Sequence, residues 1–152
     1  MTYLLDVNVL VALIDPRHTH HDTAHDWFVS TGRAAWATCA ITENGLMRIA
    51  GHPRYPGSPG TPATVAYSLR VMRALPGHRF WACDISLLDP AHVTLPQFTK
   101  AADLTDIYLL ALAKSNGGQL ATFDRRMFSA AIVDGGASLH ILPSPPIAQT
   151  DR

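Results

Sequence analysis

Residues 103–127 read DLTDIYLLALAKSNGGQLATFDRRM and contain a helix and a strand in close succession. The segment 106–116 is strongly apolar and ends before two glycines, which predicts a buried helix with a glycine cap. The segment 120–123 is a short apolar run, which predicts a buried strand. An acid stands at the boundary of each element, because Asp106 begins the helix and Asp124 follows the strand. A buried helix followed at once by a buried strand is typical of α/β proteins.

The remainder of the chain repeats this alternation of short apolar strands and amphipathic helices. Strands are predicted at 3–5, 34–38, 80–82, 120–123 and 139–142. Helices are predicted at 9–14, 20–30, 40–50, 62–75 and 106–116, with two shorter ones within 86–102 around a turn at Asp89-Pro90. Four Pro and three Gly make 51–62 an exposed loop. We therefore expect one α/β domain over 1–143, a three-layer sandwich with a short, mainly parallel sheet of about five strands flanked by helices, and a flexible tail over 144–152.

Composition narrows the class of protein. With 47% hydrophobic and 16% charged residues, the 152-residue chain is globular and of a size for one domain. Its longest apolar run, 107–113, is far shorter than the ~18 residues that a membrane span needs, and MTYLLD lacks the basic start of a secretory signal. We therefore expect a soluble cytoplasmic protein without a membrane partner. Two cysteines, Cys39 and Cys83, are too few for a disulfide scaffold and are expected in the core.

Four acids fall at positions where a solvated side chain is not expected. Asp6 and Asp124 each follow a predicted strand, and the ligand crevice of an open α/β sheet lies at the carboxyl ends of its strands. Glu43 is the only Glu in the chain, and apolar residues follow it at the third, fourth and seventh positions. Asp106 has the same apolar spacing after it, so both acids share a helix face with residues expected in the core.

Carboxylates gathered at an apolar edge repel one another and are costly to bury. Ion pairs with Arg48, Arg125 or Arg126, protonation, or a divalent cation would each relieve that cost. Hard oxygen ligands select Mg²⁺ or Mn²⁺, and such an ion can activate water and stabilise charge on a phosphate. The pattern therefore indicates phosphodiester hydrolysis. Taken singly, each Asp can instead cap a helix or interact with its dipole, and Glu43 can be a solvated helix acid.

The sequence resembles the PIN-domain family and, within it, the VapC-type toxins of bacterial toxin–antitoxin pairs. The resemblance lies in LLDVNVLVALID at 4–15, TENGLMRI at 42–49, the segment 103–127 and LHILP at 139–143. It implies a metal-dependent endoribonuclease that uses Mg²⁺, with Mn²⁺ as a substitute, and leaves 5′-phosphate and 3′-hydroxyl products. It also implies a homodimer and a cognate VapB-like antitoxin whose C-terminal segment covers the site.

The same resemblance assigns roles to individual side chains. The family's catalytic, metal-binding acids fall on Asp6, Glu43, Asp106 and Asp124. Asn8 matches an asparagine that supports the site by hydrogen bonding, and Thr122 matches a small polar position beside the fourth acid. Asp103, three residues before Asp106, is either an outer ligand or the N-cap of the helix, and we favour the cap.

Arginines near these acids are candidates for binding RNA phosphates, with ordinary surface charge as the alternative. The candidates are Arg17, Arg54, Arg125 and Arg126. The chain has 12 basic and 12 acidic residues. If four acids belong to one site, the remaining surface carries an excess of about four positive charges, which suits a polyanion.

Three other functions stay open. A housekeeping RNA-processing nuclease would share every motif, and growth arrest on expression would separate it from a toxin. A non-catalytic RNA-binding module with a structural metal site would bind RNA without turnover. A metal phosphatase acting on small esters is also conceivable, although the chain lacks the DxDxT motif of one common version.

Four histidines crowd the segment HTHHDTAH at 18–25. His21 and His25 are one helical turn apart, a spacing that can hold a transition metal. Because no Cys is nearby, we favour a solvated or packing role for this group.

Overall fold

The computed structural model describes residues 1–58, 60–94, 100–127, 131–132 and 134–143. The five strands of the described chain are β1 (Tyr3–Leu5), β2 (Trp36–Cys39), β3 (His78–Trp81), β4 (Gln119–Thr122) and β5 (Leu139–Ile141). Its five α-helices are α1 (Val7–Ile14), α2 (His21–Ser30), α3 (Ala40–Ala50), α4 (Pro62–Arg73) and α5 (Leu104–Ser115). The predicted tail over 144–152 lies outside the described residues.

The strands form one sheet in the order β3-β2-β1-β4-β5, and every neighbouring pair is parallel. β1 lies in the middle, where Tyr3 is in register with Trp36 on one side and Gln119 on the other. The strand order reverses across the β1–β4 pair. This reversal opens a crevice at the carboxyl ends of those two strands, which is where α/β sheets bind ligands.

Helices cover both faces of the sheet. Leu4 and Leu5 are fully buried in separate hydrophobic clusters because neighbouring side chains of a strand point to opposite faces. One cluster contains the buried residues of α5, and the other contains those of α1 to α4. The predicted three-layer α/β sandwich with a parallel five-stranded sheet is therefore confirmed.

A glycine allows α3 to pack closely against the start of α1. A Cβ atom at Gly45 would lie only 2.6 Å from Val7 Cγ2, so a side chain there would push the two helices apart. Val7 directly follows Asp6, and this close approach therefore places the first turns of α3 near the end of the central strand. No helix in the described ranges is long and apolar enough to span a membrane.

Two predictions about local structure are wrong. The first of the two short helices predicted within 86–102 is not found, because 86–94 contain turns; the second falls mainly on 95–99, which lie outside the described residues, and a 3₁₀ helix (Ala101–Asp103) follows them. Side chains stabilise those turns, because Ser86 Oγ accepts the Leu88 N–H (3.1 Å) and Asp89 Oδ1 accepts the Ala91 N–H (2.9 Å). Cys39 is buried as expected, but Cys83 is exposed because it follows the edge strand β3.

Candidate active site

Asp6 links the central strand to α1. It follows β1 in extended conformation and caps α1, since its Oδ1 accepts the Val7 N–H at 2.7 Å. The other oxygen, Oδ2, accepts a hydrogen bond from Thr122 Oγ1 at 2.8 Å. Only 7% of Asp6 is exposed. The capping role and a role in the site are therefore compatible, because each uses a different oxygen.

Thr122 and Asn8 connect the ends of the two central strands. The Thr122 hydroxyl, fully buried at the end of β4, accepts hydrogen bonds from Asn8 Nδ2 and from the Asp124 N–H, both at 3.0 Å. Asn8 Oδ1 accepts the Phe123 N–H at 3.2 Å. These bonds tie the start of α1 to the segment after β4 and hold Asp6 next to Asp124.

Three of the predicted acids line one cavity of about 400 Å³: Asp6, Asp106 and Asp124. Burial, followed by the charges of Asp6, Asp124 and Asp103, raises the pKa of Asp106 to about 6. Burial also raises the pKa of Asp6, although the hydrogen bonds from Thr122 and Val7 oppose the shift. The charges of Asp6 and Asp124 therefore act on Asp106, and that of Asp124 acts on Asp6, so the acids of this cavity interact electrostatically as one site.

Asp103 occupies the N-cap position of α5, but within the described chain its side chain forms no capping hydrogen bond. The favoured cap interpretation is therefore wrong as a hydrogen-bonding prediction. The physical reason is local, because Asp103 ends a 3₁₀ helix and has a helical backbone conformation instead of the extended one that suits a cap. Its charge still contributes to the raised pKa of Asp106.

Glu43 is not among the described residues that line this cavity. Its Oε1 accepts a hydrogen bond from Thr38 Oγ1 at 2.7 Å and lies 3.0 Å from Arg73 Nη1. Its side chain is 15% exposed, so the expectation of a largely buried acid holds. The structure differs from the prediction in the partner, which is Arg73 at the end of α4 instead of Arg48, Arg125 or Arg126. No local sequence signal connects α3 with an arginine 30 residues further on.

The histidines of 18–25 serve packing more than metal binding. His20 stacks on Phe123 with a centroid distance of 4.4 Å, and His21 Nδ1 lies 2.7 Å from the carbonyl oxygen of Ala12. His18 lines the cavity of the three acids, and its Nδ1 accepts the His20 N–H at 3.0 Å. As placed in the described ranges, no three His, Cys, Asp or Glu side chains come close enough to hold one ion together.

The four arginine candidates lie at different places around the site. Arg17 and Arg54 line cavities that adjoin the acid cavity. Arg125 and Arg126 follow Asp124 and are exposed, and Asp124 Oδ1 accepts the Arg126 N–H at 2.8 Å.

Sequence reasoning missed two side chains that line the acid cavity, Tyr55 and Ile49. Tyr55 belongs to the loop at 51–62, and its hydroxyl donates to Asp15 Oδ2 at 2.5 Å. The available signal was an aromatic residue inside a Pro- and Gly-rich loop, which by itself does not say what the ring contacts.

The chain as a whole matches a family of known fold. Residues 3–133 match the model of the PIN domain, so this chain belongs to the PIN-domain family. Ribonuclease VapC44 of Mycobacterium tuberculosis is 39% identical over 141 residues, which cover 93% of this chain and 98% of VapC44. This similarity confirms the predicted resemblance to the VapC group within the family.

Two solved structures share the fold. Mycobacterium tuberculosis VapC20, a sarcin-ricin loop cleaving toxin, has a TM-score of 0.61 at 13% identity and covers 87% of this chain and 97% of its own. VapBC2 from Rickettsia felis, bound to a DNA fragment from its promoter, has a TM-score of 0.53 at 11% identity. The match covers 94% of this chain and 100% of the VapBC2 chain. At these identities the likeness concerns the fold alone.

Proposed function

We propose that this protein is a metal-dependent endoribonuclease and the toxin of a toxin–antitoxin pair. The observation that carries the proposal is the cavity at the carboxyl ends of β1 and β4, which Asp6, Asp106 and Asp124 line together and where burial and neighbouring charges raise the pKa of Asp6 and Asp106. Such a group of acids is unfavourable without a compensating cation, and a nuclease site uses that cation. Membership of the VapC group, whose relatives are named ribonucleases, supports RNA as the substrate.

The side chains present fit a hard divalent cation. Asp6, Asp106 and Asp124 offer carboxylate oxygens, which suit Mg²⁺ and Mn²⁺ better than softer metals. When bound, the cation supplies positive charge that stabilises the phosphate and lowers the pKa of the attacking water. Thr122 and the Val7 N–H keep Asp6 oriented and favour its ionised form.

Glu43 is the fourth acid of the proposal. The close packing of Gly45 on Val7 brings the first turn of α3 near Asp6, while Thr38 and Arg73 now hold the Glu43 carboxylate. Asp103 and the arginines Arg125, Arg126, Arg17 and Arg54 remain candidates for secondary roles.

The proposed partners follow from the VapC group. We expect a VapB-like antitoxin, which the partnered VapBC2 assembly supports, and a homodimer. Cytoplasmic RNA is the proposed target.

Incubation of the purified protein with total RNA tests the activity. We expect discrete fragments with Mg²⁺ or Mn²⁺, none with EDTA, and 5′ ends that map to a small number of sites. Metal-independent fragments, or no fragments with either metal, would contradict the proposal. Growth arrest on expression, relieved by the product of a neighbouring small gene, distinguishes a toxin from a housekeeping nuclease.

Thermal unfolding with and without Mg²⁺ gives a second test. A cation at 100 times its dissociation constant adds about 2.7 kcal/mol to the free energy of unfolding, or roughly 5–10 °C in Tm. We expect this shift at about pH 7.5 and a much smaller one at about pH 5, because protons compete for Asp106, whose pKa is raised to about 6. An equal shift at both pH values would show that Mg²⁺ binds elsewhere.

Glu43→Gln is expected to lower RNA cleavage by about 10- to 100-fold if Glu43 serves the site as proposed. Arg73→Gln is the matched control, because it removes the same ion pair but keeps the acid, and it should cleave at nearly the wild-type rate. Both variants should lose under about 1 kcal/mol of stability, since the arginine side of the pair is 39% exposed. If Glu43→Gln and Arg73→Gln lose cleavage equally, or if neither loses any, Glu43 is not a catalytic acid.

A further inference from the structure

Tyr55 borders three adjoining cavities. The first is the acid cavity, which also includes His18. The second, about 260 Å³, is lined by His18, Tyr55 and Arg17 among others. The third, about 340 Å³, is lined by Tyr55, Arg48 and Arg54 among others. Because all three share Tyr55, they form a continuous surface that leads away from the carboxylates, here called the Tyr55 track.

The track changes sign along its length. Its inner end carries the carboxylates of the acid cavity, and its outer parts carry the exposed side chains of Arg17, Arg48 and Arg54. Asp15 also lines the second cavity, where its carboxylate accepts the hydrogen bond of the Tyr55 hydroxyl. Within the part of the chain that the structure describes, these three arginines form no ion pair, whereas Arg73 is paired with Glu43. The arginines of the track are therefore open to an anionic ligand.

Hydrogen bonds fix the ring of Tyr55 between these arginines. Its hydroxyl donates to Asp15 Oδ2, and Asp15 Oδ1 accepts the Arg17 N–H at 2.9 Å. Burial, the hydrogen bond and the charge of Asp15 raise the pKa of Tyr55 to about 12, so the ring is neutral. Since the hydroxyl is engaged at one end, the half-buried ring can offer only its face and edge to a ligand.

A nuclease built on carboxylates needs cations outside its centre. The acids repel the substrate phosphates on either side of the bond to be cut, and this repulsion acts over about 10 Å at ordinary ionic strength. Arginines bind phosphates, and single-stranded nucleic acids are held by positive grooves with aromatic rings on which bases stack. The Tyr55 track has both components directly beside the acids.

We propose that single-stranded RNA next to the scissile phosphate lies along the Tyr55 track, with one base on Tyr55 and phosphates on Arg17, Arg48 and Arg54. This inference rests on the proposed function and adds the binding surface of the substrate. It assigns RNA binding to Tyr55 and Arg48, which sequence reasoning did not consider for that role.

The test measures binding of a fluorescein-labelled single-stranded RNA by anisotropy, in an Asp106→Asn background that prevents cleavage. Tyr55→Ala should weaken binding by roughly tenfold, because the stacking of one base on the ring is lost. Tyr55→Phe is the matched control, because it loses the Asp15 bond but keeps the ring, and it should bind like the parent. In the cleaving protein, Tyr55→Ala should raise KM for RNA much more than it lowers kcat.

The arginines are tested through salt dependence. The Arg48→Ala/Arg54→Ala double variant should reduce the slope of log affinity against log salt by about 1.4, because each phosphate contact on a single strand contributes about 0.7. Arg33→Ala removes an exposed arginine that lines a different cavity and should leave the slope unchanged.

Equal weakening by Tyr55→Ala and Tyr55→Phe would overturn the stacking contact, and an unchanged slope would overturn the phosphate contacts. If the Tyr55→Ala and Arg48→Ala/Arg54→Ala variants lose antitoxin binding but keep RNA binding, the track is a protein interface and the inference is also overturned. Failure of the proposed function gives a different result, because the wild-type protein would then cut no RNA with any metal. The binding measurements would still show whether RNA contacts the Tyr55 track.

Discussion

Asp106→Asn is expected to abolish RNA cleavage, by at least a factor on the order of 10²–10³, while the protein stays folded. The substitution keeps the shape of the side chain but removes one of three negative charges that line the acid cavity. If Asp106 serves the site as proposed, a divalent cation would lose one of its carboxylate ligands and would bind more weakly, which weakens the stabilisation of charge on the phosphate. Cleavage of total RNA in buffer with ample Mg²⁺ measures the effect.

The same substitution is expected to stabilise the metal-free protein near pH 7. Burial and the neighbouring acids raise the pKa of Asp106 from 3.8 to about 6, so its ionised form disfavours folding. The native state therefore binds the proton more tightly than the unfolded state, and the wild type gains stability as the pH falls through about 6. The advantage of the variant should shrink over that range and vanish near pH 3.8, which denaturation at several pH values would show.

Asp103→Asn is the matched control for both measurements. It removes an acid from the same helix start, but Asp103 is not among the described residues that line the acid cavity. We expect a far smaller loss of cleavage than for Asp106→Asn, because the proposed role of Asp103 is only secondary. Full activity of Asp106→Asn in metal-replete buffer would refute the assignment of the site, and equal loss in the two variants would show that overall charge matters more than position.

Thr122→Val is expected to lower the free energy of unfolding by about 2–4 kcal/mol, or Tm by roughly 5–15 °C. Thr122 is fully buried, and valine has nearly the same shape but cannot replace the hydrogen bonds to Asp6, Asn8 and the Asp124 N–H. Each of these groups would lose one hydrogen-bond partner in a buried place, and one of them is a carboxylate. Denaturant unfolding measures the loss.

The same variant should reduce cleavage by about 10- to 100-fold, as expected for a group that orients a metal ligand. Because the Thr122 hydroxyl lowers the pKa of Asp6, its loss raises that pKa and increases the Mg²⁺ concentration needed for half-maximal activity. Thr122→Ser keeps the hydroxyl and should restore most of both properties. If serine fails to restore them while valine is tolerated, the packing of the γ-methyl group is more important than the hydrogen bonds.

The elements of the fold could be predicted from the sequence because each is encoded locally. Short apolar runs predict the buried strands, and the order of strands and helices predicts a parallel sheet. α3 has the predicted bounds, and α1 and α5 begin two residues earlier than predicted. The turn at Asp89-Pro90 was predicted, but the short helix expected before it was wrong, because side chain–backbone hydrogen bonds there compete with the helix that composition favours.

The candidate site could be predicted in part. Asp6 and Asp124 lie at one edge because Asp6 directly follows β1, Asp124 lies two residues past the end of β4, and these strands are neighbours and parallel in the sheet. Asp106 joins them because it lies in the first turn of α5, the helix that packs on those strands. For these three residues, position along the chain and the geometry of α/β sheets are sufficient.

The sequence by itself determined the layered fold and the carboxylates at the ends of the central strands, because strand and helix periodicities are short-range properties. Only the tertiary structure decided which arginine holds Glu43 and where the ring of Tyr55 lies. Arg73 approaches Glu43 from α4, and Tyr55 reaches Asp15 from 40 residues away. Such contacts depend on how separate helices and loops pack, and no spacing along the chain encodes that packing.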